Sequence, residues 1–303
     1  MVAIRRTRRR VRLSLSDKIF YLIITVFLSF CFLVVLLPLM NVVSYSVSSP
    51  TMVAYGRVWL FPREFTLFAY EMILQDGSLI TGFFNSLFYA GVGTVLNIVL
   101  TIMAAYPLAR KTFYGRNAIT IFFAFTMLFS GGMIPRFLLV KSLGLYNSRL
   151  ALILPEAIII WYMILARTFF QSTIPTELYE SAEIDGASDV RIILNVVVPL
   201  SGPIVAVLSL FYAVGHWNRY FDALIFLKSP GLFNIQLVLR NIMMAANAIL
   251  EQTMDLGNAM RAAETVEVFK YAVIVFSALP VLLLYPFIQR YFVKGVMIGS
   301  IKG

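Results

Sequence analysis

The residues able to do chemistry are few. One histidine, His216, and one cysteine, Cys31, stand in 303 residues, which removes disulfide frameworks, Cys-based metal sites and His-rich zinc motifs. The acids near the depth of the apolar runs are Glu156, Asp222 and Glu267, too scattered along the chain to name a catalytic pair. No G-x-x-x-x-G-K-[ST] phosphate loop is present, so energy from ATP has to come through another polypeptide. The polar groups with most to offer fall in two places. In the first, His216, Trp217, Asn218, Arg219, Tyr220 and Asp222 cluster toward one end of an apolar run, and Asn85, Ser86 and Asn97 punctuate another. Polar groups inside a bilayer are costly unless they face a cavity, so these are candidates to line one. The bland readings stand beside this: Arg219 and Asp222, three apart, pair on one helix face, Trp217 and Tyr220 anchor at a membrane interface, and His216 is a packed, hydrogen-bonded histidine.

The second place is Glu177 to Pro199, ELYESAEIDGASDVRIILNVVVP, polar in front and amphipathic behind. It reads as two short helices at an angle. Thr176 is placed to cap the first, and Glu177 and Glu180 suit its positive N-terminal end. Gly186 supplies the left-handed residue that ends it, Ser188 is placed to cap the second, and Pro199 marks the turn into the next apolar run.

Both places need a membrane around them. The chain is 60% hydrophobic and 13% charged, with a mean hydropathy of +0.85, about half the charge usual in soluble domains. A span needs ~20 apolar residues, and six runs qualify: Ile19 to Met40, Phe84 to Leu108, Ile119 to Val140, Leu150 to Thr168, Ile204 to Leu227 and Val266 to Phe292. The expected fold is therefore all-α and integral to the membrane, with six transmembrane helices over 19–292 between a basic tail, 1–18, and a C-terminal tail, 293–303. The first run exceeds the usual ~7–15 apolar residues of a secretory signal and is read as a retained span.

The net charge is +10. Arg5, Arg6, Arg8, Arg9, Arg10, Arg12 and Lys18 precede the first run, a pattern that marks a cytoplasmic flank rather than a nucleic-acid surface. With the N-terminus inside, the turn carrying Arg110, Lys111 and Arg116, the segment Arg167 to Pro199 and the C-terminus are inside too. Two outer connections are then long, Asn41 to Thr81 and Lys228 to Ala263; long loops often carry function, although a solvated tether is the plainer alternative.

Glu180, Ser181 and Ala182, then Gly186, then Pro199 resemble the EAA loop of ABC-importer permeases, with Ser181 where alanine is usual. FSGGMIP at Phe129 to Pro135, LILP at Leu152 to Pro155, FYAVGHWN at Phe211 to Asn218 and the terminal FVKGVMIGSIKG extend the resemblance over the chain. They narrow it to carbohydrate permeases of the maltose-transporter second-permease type, in a branch resembling alginate and aldouronate oligosaccharide permeases.

That resemblance implies a bacterial inner-membrane subunit with both termini cytoplasmic. It also implies that the loop 176–199 is a coupling helix seated on an ATPase, with Glu180, Ser181, Ala182, Asp185, Gly186 and Pro199 carrying the contact. The implied partners are a homologous second permease forming a heterodimer, two ATPase subunits holding ATP and Mg2+, an extracytoplasmic sugar-binding protein reached by the loop 228–263, and a saccharide substrate; no cofactor is expected on this chain. For an acidic saccharide, Arg136, Arg219 and Arg240 are candidate counter-charges. Three alternatives stay open: a permease for a non-sugar solute, a membrane-embedded enzyme, and a scaffold.

Overall fold

The computed structural model describes residues 14–129, 131–252 and 264–283, with the backbone alone for 246–252. The basic cluster Arg5 to Arg12, the far part of the connection 228–263 and the tail from 293 onward lie outside the described residues. Every regular element among the described residues is helical. α1 (Leu15–Ser46), α2 (Pro50–Ala54), α3 (Phe68–Gln75) and the 33-residue α4 (Gly77–Ala109) come first. α5 (Arg116–Leu128) and α6 (Met133–Ser142) lead through 3-10 turns at Arg149–Leu152 and Leu154–Glu156 into α7 (Ile160–Thr173). α8 (Thr176–Ile184), α9 (Asp189–Ile192), a π-helical turn at Ile193–Val197 and α10 (Val198–Leu200) carry the chain to α11 (Gly202–Trp217). α12 (Tyr220–Phe226), α13 (Ile235–Gln252) and α14 (Glu264–Leu283) follow.

Three helices, α1, α4 and α14, are long and apolar enough to cross a bilayer, and the number rises to six if each of three bent pairs is one span. The expectation of continuous helices over 119–140, 150–168 and 204–227 is thus corrected. The first breaks between α5 and α6 at Gly132, whose φ of +82° is left-handed, a conformation that costs glycine least. The second begins as 3-10 turns around Pro155 and bends by 51° into α7. The third stops at Asn218 and restarts at Tyr220, and Asp189–Leu200 meets α11 at 86°.

The described residues divide into two packed units, 14–69 with 264–275 and 70–252 with 276–283. In the first, Ser14 and Asp17 form a capping box at the start of α1, satisfying two backbone donors that a helix start leaves open. The chain beyond α1 folds back on its end: Asn41 donates to the Trp59 carbonyl at 2.8 Å and Ser44 to the Leu60 carbonyl at 2.7 Å. The apolar core of α1 has no buried share, so this helix needs lipid or another chain around it.

In the second unit α4 is the central rod, packed by α7, α11 and α13. Ile102, Ala105, Tyr106, Met163, Phe170, Leu208 and Tyr212 form the core toward its C-terminal end, and Tyr89, Val140, Leu152, Ala223, Phe226 and Leu237 the core toward the other. Lipid tails are as apolar as leucine, so close packing and hydrogen bonds hold such helices together more than hydrophobic transfer does. Gly93 makes one such close approach. A Cβ there would stand 2.5 Å from His216 Nε2, so the glycine is a notch for the imidazole of α11.

Gly93→Ala is expected to destabilise the fold by about 1–3 kcal/mol through overpacking, read as a lower melting temperature of the purified complex. Gly91→Ala, with nothing within 4 Å of its Cβ, leaves melting unchanged or slightly raised. Adding His216→Ala to Gly93→Ala should recover part of the loss; no recovery would show that the ring does not fill the notch.

Candidate functional site

A span broken at membrane depth frees backbone groups that need partners inside the protein or from water in a cavity. The breaks in the second unit recruit side chains for this. Tyr212 of α11 accepts from the Ile159 N–H at the start of α7 at 3.2 Å and shares a 2.7 Å hydrogen bond with Thr101. Asn85 donates to the carbonyls of Gly231 at 2.8 Å and Phe233 at 3.0 Å, Tyr89 to that of Leu232 at 2.7 Å, and Ser86 accepts from Ile235 N–H at 2.8 Å. Arg219, at the break between α11 and α12, donates to the Leu152 carbonyl at 2.9 Å, and its own carbonyl accepts from Asn234 at 3.0 Å.

Around that break four charges meet. Arg219 pairs with Glu156 at 2.6 Å and Asp222 at 3.6 Å, and Arg136 pairs with the same two acids, each at 3.0 Å. The i,i+3 pair was legible in the sequence; the cluster was not, and the reading of Glu156 and Asp222 as too scattered to form a site is corrected. They are 66 residues apart in the chain, yet α6, the 3-10 turn and α12 bring them onto two shared guanidinium groups. Two cations and two anions balance, which lets the group sit where an unpaired charge would not.

Beside the cluster opens a cavity of about 280 Å3 lined by Glu156, Tyr162, Phe211, Tyr212, Asn218, Arg219, Tyr220 and Asp222 among others. Four of the residues singled out in the sequence, Asn218, Arg219, Tyr220 and Asp222, therefore reach it. The other five, Asn85, Ser86, Asn97, His216 and Trp217, are packed between helices. Asn85 is spent on the 231–233 backbone, and Asn97 donates to the Glu156 carbonyl at 3.3 Å and lies 3.3 Å from His216 Nε2. Trp217 donates to the Ser277 carbonyl at 3.0 Å and stands edge-on to Phe83. Tyr162 and Phe211, stacked at 5.5 Å, add aromatic surface that sequence spacing could not point to, because they come from different helices.

The segment 176–199 folds as the expected angled pair of helices, with differences at the caps. Pro175, not Thr176, holds the first N-cap position, so α8 starts without a side-chain cap; Ser188 sits at the second N-cap without a cap bond. Gly186 has φ +72°, the left-handed turn expected between them. Glu180, Ser181 and Asp185 are exposed and Ala182 is half-buried. The pair is tied to the end of α4: Arg110 pairs with Glu183 and lies 4.3 Å over the Tyr179 ring, and Tyr106 donates to Asp189 at 2.9 Å. Burial raises the pKa of the Tyr179 phenol, an effect Arg110 only partly offsets. Pro199 stands two residues before the bend into α11.

A helical chain that crosses a membrane repeatedly, gathers its polar groups at span breaks beside a cavity, and carries a separate polar hairpin between two bent spans has the makings of a transport permease. A family described as binding-protein-dependent transport system inner membrane component matches residues 97–298, and the chain belongs to that family. It is a membrane permease subunit of transport, not a catalyst; ATP is hydrolysed on separate subunits.

The chain is 40% identical over 95% of its length, and all of the relative's, to the polygalacturonan/rhamnogalacturonan transport system permease protein YtcP of Bacillus subtilis (strain 168). It is 28% identical over 82% of its length, and 86% of the relative's, to the melibiose/raffinose/stachyose import permease protein MelC of the same strain. It superposes with a TM-score of 0.83 and 33% identity, over 93% of its own length and 99% of the other chain, on a chain from the crystal structure of a bacterial ABC transporter involved in the import of the acidic polysaccharide alginate.

The cluster's burial ranks its members. The Arg219 and Asp222 side chains are 9% and 11% exposed, those of Arg136 and Glu156 34% and 37%. Arg219→Gln should cost about 3 kcal/mol, since it leaves Glu156 and the buried Asp222 to share the one guanidinium of Arg136 and strips the Leu152 carbonyl of its donor, and Arg136→Gln about 1 kcal/mol or less, the scale of exposed pairs. Melting of the purified complex reads this order; equal losses would show that the cluster is solvated as a whole.

Proposed function

We propose that this chain is one of two homologous membrane-spanning subunits of an ABC importer that takes up an oligosaccharide. In this reading all six spans cross the bacterial inner membrane, each bent pair counting as one, with both termini cytoplasmic. The observation that carries the substrate class is the end-to-end similarity to permeases named for polygalacturonan/rhamnogalacturonan, for melibiose/raffinose/stachyose and for alginate import. The cavity agrees with it. Aromatic faces at Tyr162, Phe211 and Tyr220 suit sugar C–H surfaces, and Asn218, Glu156 and Asp222 offer hydrogen-bond partners for hydroxyls. Its charges balance, so charge selection of an acidic saccharide falls to the extracytoplasmic binding protein rather than to Arg136 or Arg219.

The segment 176–199 is the handle. In our reading Glu180, Ser181, Ala182, Asp185 and Gly186 seat on one of two ATPase subunits, whose closure on ATP and Mg2+ moves the hairpin, and Pro199 passes that movement toward α11. A short helix pair braced by an ion pair to Arg110 and a hydrogen bond from Tyr106 conveys a displacement that a soft loop would absorb. Alternation between inward-open and outward-open states then follows as a shift between two populated arrangements, with no covalent change in the solute.

The test is ATP-dependent uptake of labelled oligosaccharides into vesicles holding this chain with its second permease, ATPases and binding protein. Uptake of a saccharide is expected. Gly186→Pro, which forbids the +72° φ and removes the hydrogen bond from Gly186 N–H to the Glu183 carbonyl at 3.0 Å, should cut uptake at least tenfold while the complex still assembles. Uptake of another solute alone would overturn the saccharide assignment, and normal transport by the variant would overturn the role of the hairpin.

A further inference from the structure

At the hairpin's junction with α4 lies a second cavity, of about 330 Å3, remote in sequence from the ion cluster. Arg110, Lys111 and Arg116 line it, with Thr112, Gln171, Thr176, Tyr179, Glu180 and Glu183. Two of these side chains are incompletely satisfied. The Arg110 side chain is only 10% exposed, and its Nη1 has no hydrogen-bond partner; Tyr179 is 6% exposed, and its hydroxyl has none either. Buried donors left in that state call for an explanation, and an acceptor that belongs there is one.

The backbone around the cavity favours an anion as well. Arg116 and Thr176 are the first residues of α5 and α8, and neither helix has a side-chain cap: Gly115 and Pro175 occupy the N-cap positions. Uncapped helix N-termini present free N–H groups and a partial positive charge, the standard setting for phosphate. Two such ends share this cavity with three cations. The acids present are Glu183, already held by Arg110, and Glu180, so positive charge exceeds negative by one along the lining.

We propose that this cavity is a binding site for a phosphate group, and that its source is the headgroup of an anionic phospholipid. The source follows from position. The cavity lies where apolar α4 ends at Ala109 and apolar α5 begins at Arg116, and Tyr114 between them is 97% exposed, the arrangement of a chain emerging at headgroup level. Basic pockets at span ends on the cytoplasmic side take anionic headgroups. The proposal rests on the preceding functional reading only in placing this end of α4 at the cytoplasmic leaflet. Arg110 is shared with Glu183 of α8, so a phosphate there touches the hairpin directly.

The test counts phosphatidylglycerol bound to the purified importer complex by native mass spectrometry during a lipid titration, with inorganic phosphate as competitor. The wild type should hold one more lipid per copy of this chain than Lys111→Ala/Arg116→Ala, whose apparent affinity falls about tenfold; Lys141→Ala, on α6, should match the wild type. Tyr179→Phe, which keeps the charge and ring, should weaken retention about threefold. Millimolar phosphate should not displace the lipid. Displacement at that concentration would overturn the lipid source, and retention by the double variant equal to wild type would overturn the site. The count needs no transported solute, so failure of saccharide uptake with the lipid retained would sink only the functional reading.

Discussion

The guanidinium of Arg219 donates to the Leu152 carbonyl and binds the carboxylates of Glu156 and Asp222, while its peptide carbonyl accepts from Asn234. One residue thereby holds the 3-10 turn ahead of α7, the restart of the chain at α12 and the entry to α13. The constraint behind this is general: backbone freed at a break in a span has no water to turn to in hydrocarbon, so the protein must supply partners. Around Arg219 the partners come from neighbouring breaks, Glu156 from the 3-10 turn ahead of α7 and Asp222 from the restart at α12, while the polar side chains of the unbroken α4 serve the backbone at 231–235. The cavity between Glu156 and Asp222 follows from that gathering, because the helices that stop there do not fill the space beyond their ends.

The continuous helices were readable from composition because nothing interrupts their apolar run. α1 and α4 contain the predicted spans 19–40 and 84–108, and the described part of the predicted span 266–292 is helical throughout in α14. The broken spans were read as unbroken because hydropathy averages over a window, and a window sees Gly132, Pro155 or Asn218 as small dips. Gly132 and Pro155 stand at two of these places, but whether such a residue kinks, breaks or merely packs depends on partners far along the chain. Arg219 finds Glu156 63 residues away and Arg136 finds Asp222 86 residues away, separations at which no local pattern operates.

Asn85 and His216 show the same limit from the other direction. Both are polar residues within apolar runs, and residue type alone makes them candidates for a pathway. The structure gives each a packing partner instead: the carbonyls of Gly231 and Phe233 for Asn85, the notch at Gly93 for His216. A turn determined by backbone conformation is read more easily. Gly186 adopts the left-handed φ that its place between two short helices required, whereas the cap proposed for Thr176 failed because Pro175 had already fixed the chain's entry one residue earlier.

The two polar regions are joined by one element. α4 carries Asn97 against His216 and the Glu156 carbonyl just past its middle, and Tyr106 and its C-cap Arg110 against Asp189 and Glu183 at its C-terminal end. It is a single uninterrupted helix of 33 residues, about 50 Å at 1.5 Å per residue. Its only proline, Pro107, lies in the last turn, and Arg167 donates at 2.9 Å to the Leu108 carbonyl that the end of the helix leaves open. A rod of this kind has few ways to take up strain along its length. A displacement of the hairpin that keeps its ties to Tyr106 and Arg110 must therefore tilt or shift α4 as a body, and must act on the helices packed along it. α11 is both packed against α4 and joined to the hairpin through the bend after Pro199. It would receive the same displacement by two routes, and its far end meets the break where Arg219 holds the ion cluster.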